Sequence, residues 1–269
     1  MNRETDRHAA FPKELTAEMV AGFKKIGTGS TWPRKGEIGG VKFVLKDSRW
    51  GSYDANADRH VHNEVVADGF LRAAGLNVPD SREYHADLGH GGVETVRLSR
   101  LIDAVNFGER FDSLSVGSNQ RRRLAHAVAN AYPVLSFMAA VDTFKHNPMD
   151  NLMIGEEESV WFVDNGAMFG FRARGTLIEP EHYETRLVPD GPNGFFWLRD
   201  HDGGRHYYCR RDGLAAIFRS EKVDDAMLIA CAAKYDFVAL AKILPSDYQT
   251  DNLMAYAQAL NEWVARRNP

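Results

Sequence analysis

Hydrophobic and polar positions in the first hundred residues alternate mostly with the period of a β-strand, and one segment has the period of a helix. Residues 23–48 alternate β-rich runs with glycines, which predicts two antiparallel strands joined by a turn near Pro33 to Gly36. Residues 58–74 change to helical spacing, and Gly75 is the expected end of that helix. Two more strands, SREYHADL and GGVETVRLSRL, follow. The predicted order is strand, strand, helix, strand, strand, which makes a small antiparallel sheet carrying one helix.

The pattern from Asn119 onward is mainly helical. Apolar residues recur there at steps of three and four and form one stripe: Leu124, Val128, Ala131, Leu135 and Met138. Pro133 lies inside this stripe and predicts a kink or a later start of the helix. Further helical patterns cover 223–243 and 250–266, the second with Thr250 as its N-cap.

A short hairpin and a segment without periodicity lie between these helices. The strands LMIG and SVWFVDN flank the acidic turn EEES, whereas 171–213 is predicted to be irregular and to lie at the surface. The fold class is therefore α+β. We expect an N-terminal extension over 1–20, a sheet part over 21–102 and a mainly helical part over 103–269.

Composition and charge exclude several classes of protein. The net charge is −4, which argues against a protein that binds nucleic acid through a basic surface. The N-terminus is charged from Arg3 onward, and the apolar stretches are too short to cross a bilayer, so neither a signal peptide nor a membrane span is predicted. The two cysteines, Cys209 and Cys231, fit a cytoplasmic protein and leave secretion as an effector open.

A glycine-containing turn is the first candidate for chemistry. Gly27, Gly29 and Ser30 lie in IGTGST between two predicted strands. Glycines allow a tight turn whose backbone N–H groups approach phosphate oxygens, although an ordinary hairpin has the same pattern.

Lys46 and Glu64 are the second candidate pair. Lys46 ends the apolar strand VKFVLK and can extend its ammonium towards a phosphate. Glu64 lies on the half-buried face of the following helix, where a carboxylate needs a cationic partner, and Lys46 is the natural candidate. His60 and His62 in the same segment are two positions apart on a helix, so they point to different sides and predict no metal site.

Asn151 and Asp164 are candidate metal ligands. They flank the predicted hairpin LMIG–SVWFV, which would place them side by side. Amide and carboxylate oxygens on adjacent strand ends suit Mg²⁺, which takes few protein ligands and uses phosphates for the rest. Both residues are also common in turns, which is the alternative explanation.

The sequence resembles the atypical branch of the protein kinase superfamily over roughly residues 22–170. The segments HNEVVADGFLRAAGLNVP, VDTFKHNPMDNLMI and WFVDNG are similar to HipA-type kinases and type II phosphatidylinositol 4-kinases. The resemblance implies a bilobal kinase-like fold that binds ATP and Mg²⁺. It implies that Lys46 holds the α- and β-phosphates and pairs with Glu64, and that Asn151 and Asp164 hold Mg²⁺.

The same resemblance implies a site for adenine. It also shows that this sequence differs from the family at the position of the catalytic base. The stretch that contains Leu98, Arg100 and Ile102 would be the hinge that takes adenine through its backbone. The family has its catalytic aspartate five residues before the metal-binding asparagine, and His146 occupies that position here. The alternatives for the base are Asp150, which we favour, Asp142, and His146 itself in its neutral form.

These features together favour an ATP-dependent phosphotransferase. Its acceptor would be a hydroxyl of a protein or a small molecule, and the segment 171–213 would cover it. The departure at His146 leaves AMP transfer on the same fold as a second hypothesis. A pseudokinase that binds nucleotide and serves as an interaction module is the third, and the retained phosphate and metal positions weigh against it.

Overall fold

The computed structural model describes residues 11–26, 32–51, 57–138, 140, 143, 149–169, 197–199, 205–207 and 214–268. None of the described helices is both long enough and apolar enough to cross a membrane.

The N-terminal part of the described chain is an antiparallel sheet with the order β1-β2-β3-β5-β4. Its strands are β1 (Lys24–Lys25), β2 (Arg34–Ile38), β3 (Val41–Asp47), β4 (Ser81–Ala86) and β5 (Glu94–Arg100). The predicted pair of strands after the helix is confirmed, whereas the segment before the helix carries three strands instead of the two predicted.

The position of the first predicted turn is wrong. Strand β2 covers Arg34 to Gly36 within the predicted turn, and the chain reverses at Gly39 and Gly40 instead. Both glycines have positive φ (58° and 80°), a conformation that residues with a Cβ rarely adopt. The EIGGV sequence therefore makes the turn between β2 and β3, and a third strand, β1, precedes them.

Apolar residues cover one face of this sheet. Phe43, Leu45, Val96 and Leu98 project to that face, where the segment containing Phe11 and Leu15 closes over them. Helix α1 (Ala17–Val20) belongs to the same covering segment. Lys46 of β3 and Arg97 and Ser99 of β5 project to the other face, which carries the second helix.

Helix α2 (Ala57–Ala73) connects the sheet with the rest of the molecule and confirms the predicted helix over 58–74. Its end is marked by Gly75, whose φ is 80°. Ala67, Phe70 and Leu71 belong to the large core of the helical part, whereas Glu64 and Asp68 are buried against the sheet. The helix therefore packs apolar residues on one side and charged residues on the other.

The C-terminal part is mainly helical. Its helices are α3 (Phe107–Asp112), α4 (Asn119–Phe137), α5 (Leu214–Ser220), α6 (Asp225–Ala232), α7 (Phe237–Ala241) and α8 (Asp251–Arg267). Helix α4 begins at Asn119 with Ser118 as its cap and continues through Pro133, so a later start is wrong.

Two helical predictions near the C-terminus have different outcomes. The pattern over 223–243 breaks into α6 and α7 because the Asp236 carboxylate accepts the N–H groups of Val238 and Ala239 and starts a new helix. The last helix is confirmed, and the Thr250 hydroxyl accepts the N–H of Leu253 as predicted.

Short strands complete the described chain. Strands β6 (Val105–Asn106), β7 (Leu152–Ile154) and β8 (Val160–Phe162) form an antiparallel sheet, and its β7–β8 hairpin is the predicted one. Strands β9 (Trp197–Arg199) and β10 (Arg205–Tyr207) pair within 171–213, so the prediction of irregular structure is wrong for these six residues. The rest of that segment lies outside the described residues.

Candidate active site

Lys46 is the centre of a cluster of charged side chains between the sheet and the helical part. It lies near the end of β3 and is only 5% exposed. Its Nζ is 2.9 and 3.1 Å from the two carboxylate oxygens of Glu64 on α2, and 2.6 Å from Oδ1 of Asp164. The predicted ion pair with Glu64 is therefore present, and one ammonium joins three segments that are distant in sequence.

The strand register explains why α2 carries carboxylates at this point. Lys46 on β3 lies directly opposite Arg97 on β5, so two cations are neighbours on the same face of the sheet. Like charges in opposite positions repel each other, and burial removes the water that would screen them. Glu64 and Asp68, one turn apart on α2, lie over this pair and neutralise it.

The pKa values of the cluster follow from these contacts. Burial alone would lower the pKa of the Lys46 ammonium, but the carboxylates of Asp164 and Glu64 outweigh it and raise the pKa above its ordinary value. Burial alone would raise the pKa of Asp164, but the Lys46 ammonium outweighs it and the pKa lies below its ordinary value. Both groups therefore stay ionised at neutral pH.

Asp164 combines a strained backbone with an accessible side chain. It follows β8 directly and has a φ of 56°, the left-handed region that non-glycine residues seldom adopt and that occurs often at functional sites. Its side chain is 45% exposed although Lys46 holds one oxygen. The carboxylate therefore faces both the buried lysine and the solvent.

Asn151 precedes the other strand of the same hairpin. The backbone N–H of Val163 donates to the carbonyl oxygen of Asn151 at 3.0 Å, so Asn151 lies beside the segment that leads into Asp164. The hairpin brings the two predicted metal ligands to the same end of β7 and β8, as the sequence predicts.

The segment after Asp164 is held by side chains of α2 that the sequence pattern does not indicate. The Asn63 amide donates to the carbonyl oxygens of Gly166 and Met168 at 2.8 and 3.0 Å. At Gly166, a Cβ would lie 2.5 Å from ring atoms of His60, so glycine is required for this close approach. Asn63 precedes Glu64 in HVHNE. Nothing in that sequence separates it from a solvent-exposed polar residue, and its role is visible only from its burial in the structure.

Arg97, Asp68 and Asn165 form a second buried group beside Lys46. Nη1 of Arg97 is 3.2 Å from Oε1 of Glu64, and Nη2 is 2.7 Å from Oδ2 of Asp68. The Asn165 amide donates to Oδ1 of Asp68 at 2.9 Å and to the Phe162 carbonyl oxygen at 3.2 Å. The pKa of Arg97 is affected first by burial, which lowers it, and the carboxylates of Asp68 and Glu64 raise it above its ordinary value.

The predicted hinge is only partly in a position to contact a ligand. Leu98 lies inside β5 with β3 on one side and β4 on the other, and its side chain belongs to the sealed apolar face. The N–H of Arg100 donates to the carbonyl oxygen of Asp80 at 2.8 Å. Because these backbone groups serve the sheet, an adenine contact would have to come from the end of the predicted hinge, at Ile102 and beyond.

A polar cavity of about 270 Å³ lies beside this hinge segment. It is lined in part by Arg72, Asp80, Arg100, Ile102 and Trp161. Neither Lys46 nor Asp164 lines it. Arg100 and Ile102 therefore border a hollow that is separate from the charged cluster.

Of the remaining predicted site residues, one is described by the structure and the others are not. Asp150 is exposed and lies in the turn that precedes β7. Asp142, His146, Gly27, Gly29 and Ser30 lie outside the described residues. The described part of the chain contains no group of three His, Cys, Asp or Glu side chains that could hold a metal ion.

The architecture and the cluster together identify the type of fold. In protein kinases, the lysine that contacts the phosphates of ATP lies on the third strand of an antiparallel sheet and pairs with a glutamate of the following helix. A metal-binding aspartate follows later in the chain. The sheet, α2, Lys46, Glu64 and Asp164 have this arrangement. The fold is protein-kinase-like.

Comparisons with known proteins give similarity in structure only. No protein-family model matches the chain, and no curated protein matches it. Among the solved structures that match, "WaaP in complex with acyl carrier protein" is 12% identical with a TM-score of 0.41, covering 92% of both chains. The Helicobacter pylori proinflammatory kinase CtkA is 9% identical with a TM-score of 0.49, covering 91% of this chain and 95% of the other. At such identities neither family nor substrate follows from the similarity, so function must be argued from the site itself.

Proposed function

We propose that this protein is an ATP-dependent phosphotransferase that transfers the γ-phosphate to a hydroxyl of a protein or a small molecule. The observation that carries the proposal is the position of Lys46, whose Nζ is within hydrogen-bond distance of both Glu64 and Asp164. A buried ammonium fixed between a helix carboxylate and a half-exposed aspartate is what a kinase-type phosphate site requires.

The residues around Lys46 fit a divalent cation. The cluster holds two cations, Lys46 and Arg97, against three carboxylates, those of Glu64, Asp68 and Asp164, so one negative charge is in excess. The excess lies at the exposed end, because Glu64 and Asp68 are buried against the cations. Hard oxygen donors at a solvent-facing edge suit Mg²⁺.

Each residue then has a defined task. Asp164 and Asn151 would hold Mg²⁺, which supplies charge neutralisation to the phosphates of ATP when it is bound. Lys46 would orient the α- and β-phosphates, and Glu64 fixes the direction of the ammonium through its two contacts. This fixed geometry matters because phosphoryl transfer depends mainly on positioning and charge stabilisation.

Other parts of the proposal rest on the sequence. Gly27, Gly29 and Ser30 would approach the phosphates through their backbone N–H groups. Asp150 would orient the acceptor hydroxyl, with Asp142 and His146 as the other candidates, and the segment 171–213 would cover the acceptor. We assign the chain to the HipA-type and type II phosphatidylinositol 4-kinase-like group, with its two lobes meeting after residue 102.

Labelled ATP tests the reaction. With Mg²⁺ and a mixture of candidate acceptors, or the protein itself as acceptor, label from the γ-phosphate should be transferred and label from the α-phosphate should remain in nucleotide. Transfer of the α-label would favour AMP transfer, which the histidine at the family's aspartate position makes the second candidate. Binding of Mg-ATP without transfer of either label would contradict both reactions and support an interaction module.

A further inference from the structure

Arg97 links two carboxylates that lie one helical turn apart on α2. It is 3% exposed, and neither Glu64 nor Asp68 has any exposed surface. Its Nε and Nη2 both donate to Oδ2 of Asp68, at 3.0 and 2.7 Å, while Nη1 lies 3.2 Å from Oε1 of Glu64. A guanidinium has the planar geometry for such contacts, which a lysine ammonium lacks. Arg97 therefore fixes the carboxylate that in turn fixes Lys46.

Asp68 carries the connection to the residue next to Asp164. Its Oδ1 accepts the amide N–H of Asn165 at 2.9 Å, and its Oδ2 accepts the hydroxyl of Ser81 at 2.6 Å. The Asn165 amide also donates to the carbonyl oxygen of Phe162, at the end of β8. The backbone on the C-terminal side of Asp164 is thus anchored to α2 and to its own hairpin.

These contacts close a ring. Asp164 contacts Lys46, Lys46 contacts Glu64, Glu64 contacts Arg97, Arg97 contacts Asp68, and Asp68 contacts Asn165, which is bonded covalently to Asp164. The ring ties β3, α2, β5 and the end of β8 together with charged or amide groups. The position of the Asp164 carboxylate relative to Lys46 is therefore connected to every other member of the ring.

We propose that Arg97, Asp68 and Asn165 are positioning residues that set the orientation of Asp164 and thereby the affinity of the site for Mg²⁺ with ATP. This inference rests on the proposed function. Groups that hold a metal ligand in place commonly change metal affinity by about ten- to a hundredfold when they are removed, and here they act through Lys46 and through the backbone at Asn165. A role in packing alone would lower stability when one partner is removed, but it would not act selectively on the Mg²⁺-dependent part of the ATP affinity.

The test measures the gain in ATP affinity that Mg²⁺ provides, by calorimetric titration of the full-length protein with ATP in the presence and absence of Mg²⁺. For Asn165→Ala we expect this gain to fall about ten- to a hundredfold, while the affinity for ATP without Mg²⁺ stays as in the wild type. The matched control is Asn130→Ala, which removes a half-buried amide that contacts Cys231 and Lys234 in the helical part. It should keep the wild-type gain.

A second variant covers the case in which Asn165→Ala does not fold. Arg97→Lys keeps the positive charge but cannot hold Glu64 and Asp68 together, so it should lose part of the Mg²⁺-dependent gain as well. A wild-type gain in both variants, or an equal loss of ATP affinity with and without Mg²⁺, would overturn the positioning role. Failure of the wild-type protein to bind ATP in either condition would instead overturn the proposed function on which this role depends.

Discussion

At the scale of single residues, the site consists of charged side chains that can be buried because each one forms an ion pair. Lys46 lies opposite Arg97 in the sheet, and the carboxylates of α2 make that arrangement tolerable. Removing one partner of such a pair leaves a buried charge without compensation, which is far more costly than losing an exposed ion pair. Asp164 is the exception, because it shares the lysine and remains half exposed.

The pH dependence of stability should reveal the contact between Lys46 and Asp164. Because the folded pKa of Asp164 is lowered, its contribution is complete above the ordinary value of 3.8 and disappears as the pH falls through the folded pKa. We expect the free energy of unfolding of the wild type to fall more steeply below pH 3.8 than that of Asp164→Asn. Urea unfolding across that range measures the difference, and parallel curves for the two proteins would argue against the contact.

The sequence indicates only some of these residues in advance. Lys46, Glu64, Asn151 and Asp164 were predictable because their order along the chain is informative. Arg97 was not, because alternation along ETVRLSR predicts a polar outer face for the strand. In the structure β5 is covered on both faces, by the apolar segment with Phe11 on one and by α2 on the other. The sequence predicts a helix on the sheet, but the alternation along β5 does not indicate that this helix buries Arg97.

At the scale of elements, α2 determines the geometry of the site. Four of its polar residues, His60, Asn63, Glu64 and Asp68, face the sheet or the segment after β8. The sequence predicted this helix and the hairpin that follows it because their periods are regular. The first turn lies at Gly39 and Gly40, where the hydrophobic pattern did not predict it. Positive φ angles distinguish these two glycines from the others nearby, and the sequence pattern does not show φ.

The contact between α2 and the segment after Asp164 can be tested at Gly166. Gly166→Ala would bring a Cβ to within 2.5 Å of the His60 ring and force the two elements apart. We expect a loss of stability of about 1–3 kcal/mol and weaker binding of Mg-ATP. Gly69→Ala is the matched control on α2, because nothing lies within 4 Å of its Cβ position. That exposed helical substitution should stabilise the protein by roughly 0.5–1 kcal/mol, so thermal melts in which both variants behave alike would contradict the packing.

At the scale of the whole molecule, aromatic packing joins α2 to the helical part. The Phe137 ring lies 6.0 Å from Phe70 on α2, 5.3 Å from Phe237 and 5.7 Å from Tyr256, measured between ring centroids. Because α2 also carries Glu64 against the sheet, the apolar core and the charged cluster share one helix. The sheet and the helical part should therefore unfold together.

Replacing Phe137 tests this cooperativity. Phe137→Ala removes a fully buried ring and should destabilise the protein by about 3–5 kcal/mol. Calorimetric melting should show one transition at a lower temperature, because both parts depend on α2. Ile243→Ala, at an exposed position, is the control and should leave the transition nearly unchanged. Two separate transitions, with only one displaced by Phe137→Ala, would indicate independent parts.

The claim that Lys46, Glu64 and Asp164 form the binding site for Mg-ATP is tested most directly by melting the protein with the nucleotide. Saturating Mg-ATP at about 100 times the dissociation constant should stabilise the wild type by about 2.7 kcal/mol and raise its melting temperature. Lys46→Met should abolish the rise, whereas Lys42→Met, which removes an exposed lysine from the same strand, should retain it. No rise for the wild type, or an equal rise for Lys46→Met, would contradict the account.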